Sequence, residues 1–219
     1  AFPASLNMFC VSAGFFVITF FASFFPSPDT SNISIASYGI AIRIEQIILL
    51  PAIGLNFACL SLTGQNFGAH KYHRILEGYL ICLKYGLILM LCGSLLLYFG
   101  AGYFMRIFTD DMQVIIIGQH YLKIAALFAP IIPIINISIA LMQGIKQPNY
   151  TVFISLFKEI IGAVIIFWLI CFYLNYKLEG LWVGILIVNY LSVIIFLFIV
   201  NYKMKSIGLE IFKRKLKQN

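Results

Sequence analysis

Six long apolar stretches constrain the fold of this chain more than any other feature of its sequence. They lie at about residues 2–25, 36–63, 78–105, 114–143, 151–174 and 181–202. Each is longer than the roughly 20 residues that an α-helix needs to cross a bilayer core. Hydrophobic residues make up 62% of the sequence and charged residues 11%, against about 45–50% and about 25% in soluble domains. The sequence therefore predicts an all-α integral membrane protein built as a bundle of six transmembrane helices.

The six stretches form one predicted transmembrane domain over residues 1–203, and a basic tail follows at residues 204–219. The tail mixes apolar and basic residues, so it is predicted to be either solvated or bound as an interfacial helix to anionic lipid. An apolar run starts directly at Ala1, without the charged region that opens a signal peptide. We therefore expect the chain to belong to a longer protein.

Basic residues gather on one side of the predicted bundle. Of the 15 Lys and Arg residues, nine fall on one side, two on the other and four inside spans. Cytoplasmic loops of membrane proteins carry an excess of Lys and Arg, so both termini are predicted to be cytoplasmic, with the bacterial inner membrane as the expected location. The nine residues are Lys71, Arg74, Lys146, Lys203, Lys205, Lys213, Arg214, Lys215 and Lys217. Their role as membrane anchors argues against nucleic-acid binding, which requires a basic face on an aqueous surface.

Two pairs of charged residues lie well inside predicted spans. Arg43 and Glu45 belong to the second span, and Lys158 and Glu159 belong to the fifth. Each such charge costs roughly 2.5–3.5 kcal/mol on insertion, so it usually faces a bundle interior or a water-filled cavity. Arg43 and Glu45 are two apart and point in different directions. Pairing of Arg43 with Glu159, or of Glu45 with Lys158, is geometrically possible, and a role in binding substrate or protons is the alternative.

Uncharged amides and prolines provide further candidates within the spans. Amides in apolar runs often bond between helices, and as a set they can line a polar path; the candidates for such a cavity or gate are Gln46, Asn7 and Asn136. Prolines remove a helix hydrogen bond and permit kinks. The hinge candidates are Pro51 in the second span and Pro130 and Pro133 in the fourth.

The residues needed for enzyme chemistry are not arranged for it. The histidines His70, His73 and His120 have no neighbouring Cys or further His ligands, so no metal site is predicted. The five cysteines all lie in apolar runs and predict neither a disulfide framework nor a zinc site. No glycine-rich nucleotide loop follows a strand pattern. We expect the protein not to be an enzyme and to hold no cofactor.

Short glycine, proline and amide motifs follow one another in a fixed order along the chain. They are Phe2-Pro3, Gly39-Ile40-Ala41, Pro51, Gly54-Leu55, Gly64-Gln65-Asn66, Gly68-Ala69, Ile107-Phe108 with Asp110-Asp111, Tyr121-Leu122, Gln143-Gly144, Gly180-Leu181-Trp182 and Gly184. In this order they resemble the carboxyl-terminal half, helices seven to twelve, of the MATE (multidrug and toxic compound extrusion) family. The loop predicted around Gly64-Gln65-Asn66 is the most specific piece of the resemblance.

The resemblance implies one lobe of a two-lobe transporter whose substrate cavity lies between two six-helix lobes. The implied function is cation-coupled antiport that exports drugs or other lipophilic or cationic compounds. The implied partners are the lipid bilayer, a small-molecule substrate, and either the missing amino-terminal lobe or a second copy of the chain.

Two positions that carry an acid in some members of the family carry apolar residues in this chain. Sodium-coupled members keep a Glu at the position of Val11 and an Asp at the position of Ile132, with an aromatic partner at the position of Phe128. A bound cation needs a fixed or titratable negative charge. The resemblance is therefore closer to the DinF-like branch, which implies coupling to H⁺ rather than Na⁺ through an acid of the missing lobe.

Two other functions remain open from the sequence. The wider superfamily includes flippases for lipid-linked sugars, whose cavities need several cations to hold pyrophosphate; Arg43 and Lys158 are the deep candidates. The second alternative is that the chain is an inactive or structural half-transporter that needs a partner lobe.

Overall fold

The computed structural model describes residues 2–23, 31–173 and 177–206. Within these ranges the chain is helical and contains no strand, which confirms the all-α class. The described residues form eight α-helices: α1 Phe2–Ser23, α2 Ser31–Gly68, α3 Tyr72–Arg106, α4 Met112–Phe128, α5 Ile132–Gly144, α6 Pro148–Leu156, α7 Gly162–Trp168 and α8 Lys177–Ser206. Most of the predicted basic tail lies outside the described residues.

Irregular turns join some of these helices into longer membrane spans. The 3₁₀ turn Ala129–Ile131 connects α4 to α5, and the π-helical turn Phe157–Ile161 connects α6 to α7. Five spans are long and apolar enough to cross a membrane: Ile33–Gly68, Tyr72–Arg106, Met112–Gly144, Pro148–Cys171 and Gly180–Lys205. The uncharged helix α1 has 22 residues, about 33 Å at 1.5 Å per residue. It is therefore long enough to be the sixth.

Helix α2 is longer than its predicted span and continues through residues 64–68. The prediction that this glycine-containing segment forms a loop is wrong. A Cβ added to Gly144 of α5 would lie 2.6 Å from Thr63 Cβ and 3.2 Å from the Gly64 nitrogen. The two helices therefore cross closely at Gly144, where a side chain would not fit, and α2 does not end at Gly64. The chain reverses only after Gly68, where His70 takes a positive φ of 54°.

The acidic motif before α4 has a local structural role. Asp111 Oδ1 accepts a hydrogen bond of 2.9 Å from the Gln113 amide, which satisfies one of the amide groups left free at a helix start. This N-cap explains why an acid occurs directly before the fourth span. The motif therefore positions α4 and its buried side chains.

Helix α2 is the centre of the bundle and packs against α3, α4 and α5. Two buried apolar clusters surround it. The first contains Tyr38, Tyr121 and Trp182, and the second contains Tyr79 and Phe196 and lies toward the opposite ends of the helices. Because both clusters draw on several helices, they fix the rotation of α2 and decide which of its side chains enter the lobe.

Candidate functional site

A buried carboxylate on α2 is the first polar group inside the lobe. Glu45 is 5% exposed, and its Oε2 accepts a 2.6 Å hydrogen bond from the Tyr121 hydroxyl of α4. A charge-assisted bond of this length ranks among the stronger hydrogen bonds in proteins. It ties α2 to α4 across the bundle, so Glu45 is held in a fixed position.

Three aromatic rings surround this hydrogen bond. Tyr38 of α2 packs edge-on to Tyr121 with ring centroids 5.3 Å apart and stacks on Trp182 of α8 at 5.8 Å. Tyr121 and Trp182 are 4.9 Å apart. The Tyr38 hydroxyl is buried and finds no hydrogen-bond partner among the described residues. The aromatic cluster thus excludes lipid from Glu45 and leaves one polar atom with unused bonding capacity.

A lysine and a glutamate pair on the π-helical turn of the fifth span. Lys158 Nζ lies 2.7 Å from Glu159 Oε1, with side chains 23% and 19% exposed. Sequence neighbours on a regular α-helix do not face each other. Lys158 and Glu159 lie in the wider π-helical turn Phe157–Ile161, where the backbone departs from regular α-helical geometry. Such turns are frequent at functional sites.

The ion pair borders a small cavity between the fifth span, α1 and α8. The cavity has a volume of about 40 Å³, and its polar lining comes from Lys158, Glu159 and Asn189. On the α1 side, a Cβ at Gly14 would collide with Glu159 Oε2. The glycine therefore makes room for the carboxylate between the two helices.

The two cross-helix ion pairs considered from the sequence are not formed among the described residues. Glu159 pairs with Lys158, and Glu45 bonds to a tyrosine hydroxyl. The Lys158 ammonium nevertheless lies close enough to Glu45 to interact with it electrostatically. Arg43 is exposed on a different side of α2, so it takes no part in this cluster.

The remaining sequence candidates are spread over the lobe. Gln46 is exposed on α2 and Asn136 is half-buried on α5. Asn7 belongs to α1, and its side chain lies outside the described part of the structure. The roles of all three in a cavity or gate stay predictions.

The three prolines occupy different settings. Pro51 is exposed in α2, which continues through it as a helix. Pro130 lies in the 3₁₀ turn Ala129–Ile131, and Pro133 is buried near the start of α5. The turn marks a real break in the fourth span at the predicted place, while motion at any of these prolines stays a prediction.

Sequence reasoning missed the residues that complete the interior cluster. Tyr38, Tyr121 and Trp182 were indistinguishable from the other apolar aromatics, and Gly14 was one glycine among 16. A usable signal existed for Tyr121 and Trp182, which both stand in motifs of the family resemblance, but not for Tyr38 or Gly14. Pairing between α2, α4 and α8 depends on tertiary packing, which the spacing of residues does not reveal.

The exposed faces of α2 and α3 differ in character. The exposed side of α2 carries Arg43 and Gln46 and continues to Gln65. The exposed side of α3 is long and largely apolar, with exposed large side chains that include Leu91, Leu95, Leu96, Phe99 and Tyr103. Lipid is a suitable neighbour for the α3 face, whereas polar groups at depth require water or protein.

Replacing Tyr121 with phenylalanine is expected to lower the free energy of unfolding by about 2 kcal/mol, because the buried Glu45 loses its hydrogen-bond donor. Thermal unfolding in detergent measures the loss. Tyr190→Phe is the matched control, since the hydroxyl of the 43% exposed Tyr190 donates a longer bond of 3.2 Å to Leu127 O. Equal melting temperatures for the two variants would contradict the importance of the buried bond.

Comparison with known proteins identifies the family. The family model named MatE matches residues 3–168. The chain belongs to the MatE family. Among curated MatE relatives, it is similar to the probable multidrug resistance protein NorM of Bacillus cereus, with 23% identity over 185 residues, 84% of this chain and 40% of the relative. The probable multidrug resistance protein YpnP of Bacillus subtilis is 25% identical over 130 residues, 59% of this chain and 28% of the relative.

Solved structures give the same fold. An outward-facing multidrug resistance MATE family transporter of the MOP superfamily superposes with a TM-score of 0.86 at 21% identity, over 94% of this chain and 45% of that one. A MOP superfamily transporter from Pyrococcus furiosus, described as having a binding pocket of reversed polarity, gives 0.87 at 20% identity over 94% and 46%. The MatE chain described here thus spans less than half the length of these proteins. Its assignment to the DinF-like branch stays a prediction.

Proposed function

We propose that the chain forms one lobe of a cation-coupled antiporter that exports drugs or other lipophilic or cationic compounds. Its curated relatives are named as probable multidrug resistance proteins, and the fold covers 94% of this chain but 45% of a multidrug transporter. The substrate cavity would lie between this lobe and a second six-helix lobe, which is either another part of the same protein or a second copy. The coupling ion is proposed to be H⁺.

The exposed face of α2 is the observation that carries this proposal. Arg43 and Gln46 lie exposed at one end of the face and Gln65 at the other, with Leu50 and Phe57 between them. An arginine and amides facing lipid would be costly, whereas a water-filled cavity between lobes accommodates them. The intervening apolar side chains suit lipophilic substrates, since ligand cavities are mostly apolar with a few polar groups.

The distribution of basic residues supports a proposed membrane location and orientation. The chain is an integral membrane protein, and we place it in the bacterial plasma membrane with both termini in the cytoplasm. Lys71 lies between α2 and α3, Arg74 lies in the first turn of α3, and Lys146 follows α5. These helix ends are on the side proposed to be cytoplasmic. An excess of basic residues in cytoplasmic loops supports this orientation.

A flippase for lipid-linked sugars is less favoured by the charges of the lobe. Of its two deep cations, Lys158 is paired with Glu159 at 2.7 Å, which leaves Arg43 as the unpaired deep cation among the described residues. Pyrophosphate recognition uses several charge-assisted bonds. One exposed arginine provides too few donors for that substrate.

Dye export tests the proposed function directly. Efflux-deficient bacteria that express the chain from its natural coding region are expected to accumulate several-fold less ethidium than cells with an empty vector. A proton uncoupler should abolish this difference in ethidium accumulation, because export would depend on the proton gradient. Unchanged accumulation, with the protein present in the membrane by immunoblot, would reject export and leave an inactive or structural half-transporter.

Thiol labelling tests the face of α2 independently of substrate. Phe57→Cys is expected to react with a membrane-impermeant maleimide at least tenfold faster than Cys92, because Phe57 would border a water-filled cavity. Cys92 is exposed on α3 and serves as a natural lipid-facing control, while the other four cysteines are buried. Equal, slow labelling at both positions would show that lipid covers the α2 face.

A further inference from the structure

The charges inside the lobe do not balance. Two carboxylates, Glu45 and Glu159, share the interior with one ammonium, Lys158. If all three are ionised, the cluster holds one excess negative charge. An uncompensated charge in a low-dielectric interior costs several kcal/mol, and such groups usually take up a proton or a partner. The described structure therefore calls for one positive charge at this place.

The helices that pack against the cluster contribute no second described cation to it. Helix α1 contributes the Cys10 thiol, close enough to Glu159 to interact with it electrostatically. Helix α2 contributes the Tyr38 hydroxyl and α4 the Tyr121 hydroxyl. Helix α8 contributes Asn189 and the Trp182 ring, and no described charged group of α8 faces the cluster. None of these described groups is a cation, so Lys158 is the one ammonium among the described residues of the cluster, and a bound proton or other cation can supply the second positive charge.

The Tyr38 hydroxyl provides an independent sign of a missing partner. Tyr38 is 4% exposed, and its hydroxyl has no hydrogen-bond partner among the described residues. It lies within electrostatic reach of both carboxylates. A buried hydroxyl without a partner costs about 1–3 kcal/mol. This atom can accept a hydrogen bond from a protonated carboxyl or donate one to a bridging water.

We propose that Glu45, Lys158 and Glu159 form a proton-binding site inside this lobe that holds one exchangeable proton, with the unpartnered Tyr38 hydroxyl buried nearby. The proton resides on Glu45, because Glu159 already has the ammonium at 2.7 Å. In the binding step, a hydronium ion transfers one proton to the Glu45 carboxylate, which yields a neutral carboxylic acid and one water. Release reverses the same step.

The surroundings favour a proton over a sodium ion. Sodium would have to collect several oxygen ligands beside the Lys158 ammonium, which repels it, and Glu45 Oε2 is already occupied by the Tyr121 hydroxyl. A proton needs one carboxylate oxygen. The 40 Å³ cavity beside Lys158 and Glu159 has room for a water, which needs about 10–15 Å³. Such a water provides a place from which protons reach the cluster.

This site differs from the two acidic positions of the sodium-coupled members of the family. Those positions hold Val11 and Ile132 here, which carry no charge. Coupling of the site to drug export rests on the proposed function, whereas proton binding by the lobe does not. The two claims can therefore fail separately.

Infrared difference spectroscopy of the purified chain in lipid nanodiscs tests proton binding. A step from alkaline to acidic buffer should produce the C=O band of one buried carboxylic acid, and Glu45→Gln should remove it. Glutamine keeps an oxygen that can accept the Tyr121 hydrogen bond, and the melting temperature verifies folding. Glu77→Gln is the control, because Glu77 is an exposed partner of His73 on α3 and should leave the band unchanged. Lys158→Met should double the band, since Glu159 would then take up a second proton.

The outcomes separate the alternatives. A band that survives in Glu45→Gln, or no band at any pH, overturns the site. Loss of the band on adding NaCl at fixed pH, but not on adding choline chloride, identifies a sodium site and overturns proton specificity. A band with the expected dependence in a protein that does not export ethidium supports the site and rejects the proposed function alone. Export by Glu45→Gln with unchanged dependence on the proton gradient shows that the site does not drive export.

Discussion

Lys158→Met is expected to lower the free energy of unfolding by about 3 kcal/mol, because Glu159 loses its ammonium partner between α1 and the fifth span and must stay buried as an unpaired charge or take up a proton. The two charged atoms lie 2.7 Å apart, and both side chains are less than a quarter exposed. Breaking a pair of this kind from one side is far more costly than replacing both partners. Thermal unfolding in detergent, or urea titration in micelles, provides the measurement.

The double variant Lys158→Met with Glu159→Leu should recover most of the lost stability, since no unpaired charge remains. Lys84→Met is the matched control on the exposed side of α3 and should change stability by less than about 0.5 kcal/mol. If the single and double Lys158 variants unfold at the same temperature, the ion pair does not stabilise the lobe.

Gly144→Val is expected to cost about 3 kcal/mol, because the added Cβ would lie 2.6 Å from both Thr63 Cβ and Thr63 Cγ2. Thr63 is fully buried, so it cannot move aside, and α2 must separate from α5. Overpacking of a well-filled core typically costs about 1–3 kcal/mol and occasionally more, so the expected cost lies at the upper end of the usual range. The melting temperature of the purified chain and its recovery from detergent both report the change.

Gly39→Val provides the control for the helix-forming tendency of valine. A Cβ at Gly39 meets no atom within 4 Å, so this variant should differ from the natural chain by no more than about 0.5 kcal/mol. Similar losses at Gly39 and Gly144 would mean that the close crossing of α2 and α5 is not what requires glycine.

The sequence predicted the membrane-spanning class and the family from features that act locally. Apolar runs must be helical in lipid, because every backbone amide has to find its partner within its own segment. The same reasoning predicted breaks at residues 110–111 and 144–148, where the described chain leaves its helices, but it failed at residues 64–68. Glycine in an isolated sequence indicates a turn, whereas here α2 continues through Gly64 and packs closely against Gly144 of α5, a residue 80 positions away.

The sequence predicted the charged members of the candidate site but not which residues they pair with. Depth in the membrane singled out Glu45, Lys158 and Glu159, since a charge at depth needs a reason. The partners depended on helix rotation and on the π-helical turn Phe157–Ile161, which set two adjacent side chains against each other. Tyr38 and Tyr121 carried no charge to attract notice, although they complete the cluster.

What the sequence determined by itself was the solvent of this protein and its place in the MatE family, because hydropathy and short motifs are properties of contiguous residues. Only the tertiary structure decided which polar groups meet: Glu45 with Tyr121, Lys158 with Glu159, and neither with Arg43. The physical reason is that polar contacts in a helical bundle depend on the rotation and crossing of separate helices. Those quantities are set by packing at positions such as Gly14 and Gly144, where the absence of a side chain lets two helices approach.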